Sequence, residues 1–193
     1  MARVPVFVVT GPSGAGKGTL IRALLERLPE LEVAVSATTR ARRDGEEDGR
    51  DYYFLTEDVF VRRIEAGELL EHVRFVSARY GTLRSELDRI ADEGRVCVLE
   101  LELEGALRVQ ETVPGSVTLF IAADVPELER RLRERATESS GQITERIELA
   151  RHQLAQAHRF RYVVRNDDLG RATAALAALV EAEFAFAATM ARP

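Results

Sequence analysis

Val6-Phe7-Val8-Val9-Thr10 runs directly into Gly11-Pro12-Ser13-Gly14-Ala15-Gly16-Lys17-Gly18-Thr19, and this order of apolar strand, glycine turn and helix start decides the fold. Consecutive apolar residues, without polar alternation, mark a strand covered on both faces. The glycines let the backbone curl so that successive N–H groups face one point, and the start of the next helix adds positive potential there. Phosphate is what such a concavity holds. Gly11, Pro12, Ser13, Gly14, Ala15, Gly16, Lys17, Gly18 and Thr19 are therefore read as the seat of a nucleoside triphosphate, with Lys17 reaching its β and γ phosphates. The strict motif wants Ser or Thr straight after the lysine. Gly18 holds that place here, so a magnesium ion is expected on the triphosphate and water, with Thr19 as the available hydroxyl.

Composition singles out the same position. Of 27 basic residues, Lys17 is the only lysine. Biased codon usage accounts for the arginines as a group, but not for the exception. A tight loop takes a compact ammonium on a thin stem and fits a broad planar guanidinium poorly.

Working outward, 193 residues suffice for one domain with a core that needs no disulfide or metal. A net charge of -5 excludes a protein that blankets a nucleic-acid backbone. The lone Cys97 lies in Val96-Cys97-Val98-Leu99 and reads as a buried structural thiol, in keeping with a reducing compartment. His72, His152 and His158 lack the spacing of a transition-metal site. The run from Val4 to Val9 is too short for a signal-peptide core, and Glu181 and Glu183 interrupt the alanine-rich stretch from Ala172 to Met190. A cytoplasmic protein with a packed terminal helix, no membrane partner and no evident obligate protein partner is expected.

Five apolar runs, Val6 to Val9, Val33 to Val35, Val96 to Leu101, Val117 to Ile121 and Tyr162 to Val164, alternate with helical patterns. The helical patterns cover Gly16 to Leu28, Leu83 to Ala91, Ala106 to Val113, Pro126 to Arg135 and Ile143 to His158. This predicts an α/β fold of the phosphate-loop NTPase type, a doubly wound parallel five-stranded sheet. Two stretches depart from the alternation. Residues 37–82 are polar and glycine-containing, with a helix-like Thr56 to Ala66 and short β-like pieces, and read as an insertion at the sheet's edge. Residues 126–158 are dense in arginine and broken at Thr137-Glu138-Ser139-Ser140-Gly141, the pattern of two helices forming a lid. The remaining core is 1–36, 83–125 and 159–193. On composition alone a solvated charged surface is the better reading of either departure.

Three kinds of segment change that balance. Ser36-Ala37-Thr38-Thr39-Arg40-Ala41-Arg42-Arg43 offers hydroxyls and guanidinium forks suited to a dianion, and Tyr52 and Tyr80 could add phenolic donors. Arg43-Asp44-Gly45-Glu46 leads to Gly49-Arg50-Asp51-Tyr52-Tyr53-Phe54, followed by Gly67-Glu68-Leu69-Leu70-Glu71, Tyr80-Gly81-Thr82 and, far along, Asn166-Asp167-Asp168-Leu169. In this order, from Val6 to about Glu183, the chain resembles guanylate kinase, a nucleoside monophosphate kinase.

The resemblance implies transfer of the γ-phosphoryl group of MgATP to GMP or dGMP, giving ADP and the nucleoside diphosphate. It implies that Arg40, Arg43, Tyr52 and Tyr80, with Ser36 beside them, hold the GMP phosphate, and that Glu71 and Thr82 read the base. A carboxylate can accept from both N1–H and the 2-amino group of guanine, whereas adenine presents a lone pair at N1. A mismatch of that kind can reach about 10⁴-fold discrimination. Arg131, Arg135 and Arg146 would close over the ATP phosphates as catalytic arginines, while Arg130 and Arg133 stay solvated. Asn166 would lie near the ATP adenine. Glu102 would face GMP and the waters of the metal. Glu102 and Glu104 stand where the family has Asp and Gln, Ser77-Ala78-Arg79 replaces Gly-Asn, and His72 replaces an apolar or aromatic residue. Two other readings of the same motifs are a ribose bisphosphate phosphokinase of this fold and a silent guanylate-kinase-like binding module. The first has no use for a base-reading carboxylate, and the second no use for Lys17.

Overall fold

A computed structural model describes residues 5–75, 77–134 and 140–190. The core is a parallel sheet of five strands: β1 (Phe7–Thr10), β2 (Leu31–Val33), β7 (Val96–Glu100), β8 (Val117–Ala122) and β9 (Tyr162–Arg165), in the order β2-β7-β1-β8-β9. β1 lies at the centre and is buried along its whole length. Its alternate residues enter opposite cores, which is why the run reads as continuous apolarity. Phe7 and Val9 join Leu20 and Leu24 of α1 (Lys17–Arg27) and Leu176 and Val180 of α7 (Leu169–Met190). Val8 faces the other way, to Ile90 of α3 (Arg84–Asp92), Val109 of α4 (Leu103–Thr112) and Phe120. The doubly wound sheet is thus sandwiched as its sequence pattern requires.

The insertion builds a sheet of its own. β3 (Ser36–Thr38), β4 (Tyr53–Phe54), β5 (Leu69–Phe75) and β6 (Ala78–Leu83) run in the order β4-β3-β6-β5, with α2 (Glu57–Glu65) packed on them through Phe60. Phe60 is fully buried, worth about 1.5–3 kcal/mol to this small unit. The Thr56 hydroxyl caps α2 by accepting from the Val59 N–H.

One expectation is corrected here. Val33 to Val35 is not one strand: β2 ends at Val33, and Ser36, expected as the last core residue, opens the second sheet opposite Thr82. The hydrogen bonds change hands within two residues. The Ala34 N–H still donates to Val98 O at 3.0 Å, and the Val35 N–H donates to the Glu86 carboxylate at 2.9 Å. An apolar run carries no sign of which sheet it serves, so the break was invisible in composition.

The segment expected to form a lid contains α5 (Val125–Glu134) and α6 (Ser140–Ala155), which pack on each other. Ser140 and Gly141, expected in the tip, belong to α6. Among the described residues no helix is long and apolar enough to cross a membrane. Cys97 is buried, and that burial pushes its thiol up to about 12, so it stays protonated and inert.

Candidate active site

The C-terminal ends of β2 and β7 open into a cleft of about 310 Å³ that reaches from Lys17 across to the insertion. Ligands settle at this end of parallel sheets because the strand termini and helix N-termini converge there. Lys17, Ser36, Tyr52, Glu71, Tyr80, Glu100 and Glu102 all line the cleft. Residues spread over the first half of the chain meet in one cavity.

At the phosphate loop, Gly16 adopts φ 83°, a left-handed conformation that costs a side chain but not glycine. It caps α1, and the first helical residue is Lys17. The Lys17 ammonium donates to Gly11 O at 2.7 Å, folding the side chain back over its own loop. Asn166 is buried and its Nδ2 donates to Ala15 O at 2.7 Å. A Cβ at Gly16 would stand 2.5 Å from that nitrogen. Asn166 therefore braces the loop from behind, a structural task that its motif did not reveal. With Gly14, Gly16, Thr19, Arg131 and Leu169 it also lines a second recess of about 350 Å³. Thr19 belongs to that recess and does not line the cleft.

Gly18 instead faces Glu100: a Cβ there would lie 3.7 Å from its carboxylate. Glu100 was not singled out from sequence, because in Leu99-Glu100-Leu101-Glu102 it looks like one polar member of an alternating pair. Its side chain is exposed to the cleft, yet the protein atoms crowded around its carboxyl raise it, as does neighbouring Glu102, with Lys17 pulling the other way. Its place on the cleft floor beside Lys17 and Gly18 is the signal. Glu102 sits at the N-terminal end of α4 and lines the same cleft.

On the far wall, Arg40 is held on two sides. Its guanidinium lies 5.3 Å from the Tyr52 ring centroid and 5.7 Å from that of Phe54. It also forms a two-pronged pair with Glu46, at 2.8 and 3.0 Å. Glu46 further accepts from the Arg43 N–H at 2.8 Å, shaping the turn that carries Arg43, whose own side chain is exposed. Tyr52 and Tyr80 meet edge to face with centroids 6.1 Å apart. Burial raises the Tyr52 phenol, which stays a donor. Arg40, Tyr52 and Tyr80 thus form one cluster, and Arg43 stands at its rim.

Glu71 is the most unusual group. It is 4 % exposed, and its Oε1 accepts from the Thr82 hydroxyl at 3.0 Å. A Cβ at Gly105 would stand 2.6 Å from Oε2, so the seat exists only because α4 carries glycine there. Burial pushes the Glu71 carboxyl up to about 7, against the hydrogen bonds from Thr82 and the field of Arg108. A buried carboxylate poised near neutrality is made for a ligand that brings its own donors.

In the lid, Arg131 bridges α5 to the loop: Nε pairs with Glu127 at 2.7 Å, while the Nη atoms donate to Gly14 O at 3.2 Å and Asn166 O at 3.1 Å. Arg130 pairs with Glu127 and Glu134, and Arg133 with Glu129, on the exposed side of α5, as solvated residues. Arg146 lies half-buried on α6. Arg135 lies outside the described residues. No cluster of metal-ligating side chains occurs among the described residues.

Comparison with known proteins gives concordant findings. The profile of the family described as guanylate kinase matches residues 3–183. The guanylate kinase of Synechococcus elongatus is 44% identical over 176 residues, 91% of this chain and 96% of the relative. That of Thermotoga maritima is 39% identical over 179 residues, 92% and 86% of the two chains. The crystal structure of guanylate kinase from Anaplasma phagocytophilum superposes with a TM-score of 0.75 at 30% identity, covering 93% of this chain and 86% of that one.

Proposed function

The chain belongs to the guanylate kinase family, and from that premise we propose how its residues transfer the γ-phosphoryl group of ATP to GMP or dGMP. The observation that carries the reading is that Glu71, buried and bonded to Thr82, opens into the same cleft as Lys17.

The chemistry asks little beyond position and charge. Gly11 to Thr19 cradle the ATP phosphates with backbone N–H groups, and Lys17 exchanges its contact with Gly11 O for the β and γ oxygens. Arg40, Tyr52, Tyr80, Ser36 and Arg43 hold the GMP phosphate opposite. Glu71 accepts from guanine N1–H and the 2-amino group while Thr82 steadies it. Arg131 is already at the loop, and Arg146 and Arg135 complete the charge neutralisation when the lid closes. Asn166 keeps the loop in shape from behind the ATP recess.

Magnesium fits this arrangement. The missing side chain at Gly18 leaves room beside the Glu100 carboxylate, which with Glu102 is suited to the water shell of an ion that remains on the ATP phosphates. When bound, the ion neutralises charge on the transferring group. Thr19, facing the other recess, is not assigned to it.

The test is ADP release measured across GMP, dGMP, AMP, CMP, UMP and ribose 1,5-bisphosphate. GMP and dGMP are the expected acceptors. Equal turnover of AMP would overturn the base assignment, turnover of the bisphosphate would point to the phosphokinase alternative, and no turnover at all to a binding module.

A pH dependence follows from Glu71. Only its ionised form accepts both guanine donors, and its folded pKa is raised to about 7. GMP affinity should therefore fall as pH drops below about 7, approaching tenfold per pH unit. The group's contribution to stability has the opposite sign: it is present in acid and is lost as pH rises through about 7. Titration calorimetry from pH 6 to 8.5, with Glu71→Gln as reference for the phosphate's own ionisation, checks this. Equal slopes in both proteins would refute it.

A further inference from the structure

We propose that Glu86 is a positioning residue, whose carboxylate sets the pose of the acceptor sheet over the phosphate loop by bridging the Val35 N–H and the Tyr53 hydroxyl. The inference rests on the reading of the second sheet as the GMP-holding unit.

The chain crosses between the two sheets twice, at Val33–Ser36 on the way out and at Leu83–Arg84 on the way back. Glu86, in the first turn of α3, stands beside the return crossing and reaches the outward one. Its Oε2 accepts from the Val35 N–H at 2.9 Å, and its Oε1 accepts from the Tyr53 hydroxyl at 2.8 Å. Arg89 donates to both oxygens at 3.2 Å and to Glu32 of β2 at 2.6 Å. A continuous line of bonds thus runs from the core strand β2 through Arg89 and Glu86 to the acceptor strand β4.

Glu86 is 2 % exposed. Burying a carboxylate is costly, and mere packing would be served better by an apolar side chain of that size. What the carboxylate adds is direction: four donors arriving from three segments fix its plane, and its plane fixes them. The hydrogen bonds hold it ionised, below the usual carboxylate range, even though burial opposes them. Tyr53 opens β4 directly after Tyr52, and successive residues of extended backbone face opposite sides. Tyr52 lines the cleft while Tyr53 is tied to Glu86. The phosphate-holding face of the strand is thereby anchored from its reverse.

Steady-state kinetics on the full chain with Tyr53→Phe, Glu86→Gln and the double variant test this. Tyr53→Phe deletes one hydroxyl and no packing. It is expected to raise KM for GMP about tenfold, the scale of a lost hydrogen bond to a charged group, while KM for ATP stays within about twofold. The double variant should fall short of additivity for GMP, because both changes act on the one bridge between Val35 and Tyr53. A merely structural role would lower the melting temperature and leave the ratio of the two KM values alone. An unchanged KM for GMP in Tyr53→Phe, a parallel rise in both KM values, or additive effects in the double variant would each overturn the proposal. If Glu86→Gln does not fold, Tyr53→Phe decides alone. Absence of GMP turnover in the unaltered protein would instead remove the functional reading beneath it.

Discussion

Lys17→Ala should lower kcat by about 10³-fold or more while leaving GMP binding within about twofold, because the ammonium acts on charge that develops at the transferring phosphoryl group. The geometry makes this separation sharp. Lys17 and Glu71 lie in one cleft but on different walls, the first opening α1 in the core and the second on β5 of the acceptor sheet. Nothing in the cluster of Arg40, Tyr52 and Tyr80 that we propose to hold GMP is bonded to Lys17, which donates to Gly11 O and Pro12 O. Single-turnover phosphoryl transfer and GMP calorimetry on the same preparation check both halves. Retained turnover would dissociate the loop from catalysis, and lost GMP binding would mean the two walls are coupled through Lys17. Arginine in this place should not rescue, since a planar fork cannot follow the bend back to Gly11 O.

Glu71→Gln is expected to weaken GMP by about 10²-fold, with KM for ATP unchanged within about twofold. The substitution keeps the shape of the seat against Gly105 and the bond from Thr82, but replaces an acceptor oxygen by an amino group that opposes the guanine donors. The same amino group can donate to adenine N1, so the ratio of AMP to GMP turnover should rise. Stability offers the control. A buried carboxylate whose pKa is raised by burial is a burden above neutrality, so the glutamine protein should melt no lower than the parent at pH 8. Calorimetry showing GMP affinity unchanged would remove Glu71 from base recognition. A protein that melts well below the parent would show that the carboxylate serves the fold.

The parts of the molecule that were legible in sequence are those whose physics is local. Phe7 to Thr10 reads as a doubly covered strand because every residue in it is apolar or β-branched, and Gly11 to Thr19 because glycine spacing and a following helix define a concavity without reference to anything distant. Arg40, Tyr52, Glu71, Tyr80 and Thr82 were named from the family's motifs, and Tyr52, Glu71 and Tyr80 line one cleft, with Thr82 bonded to Glu71 and Arg40 against the Tyr52 ring. Illegible were the features that depend on a partner far along the chain. Val33 to Val35 is equally apolar whether it stays in one sheet or changes sheets, and what ends β2 is a carboxylate 51 positions away. Glu86 itself reads as one charge on the charged face of α3, and only its pairing with Val35 and Tyr53 distinguishes it. Glu100 hid in an alternating run, and only its place in the cleft with Lys17, next to Gly18, sets it apart. Asn166 was expected near the ATP adenine, and its support of the loop went unread because a side chain 151 residues from Ala15 declares its partner only in three dimensions.

The solitary ammonium of Lys17 also leaves this protein with a single side-chain amine. Guanidinium groups hold their protons throughout the working range, so acylating reagents that modify lysine have one side-chain amine to find, and it lines the catalytic cleft. Acylation of the Lys17 side chain and loss of ATP-dependent turnover should then follow one another stoichiometrically, and occupancy of the triphosphate seat should shield both. A protein poor in lysine thereby carries its own active-site titrant.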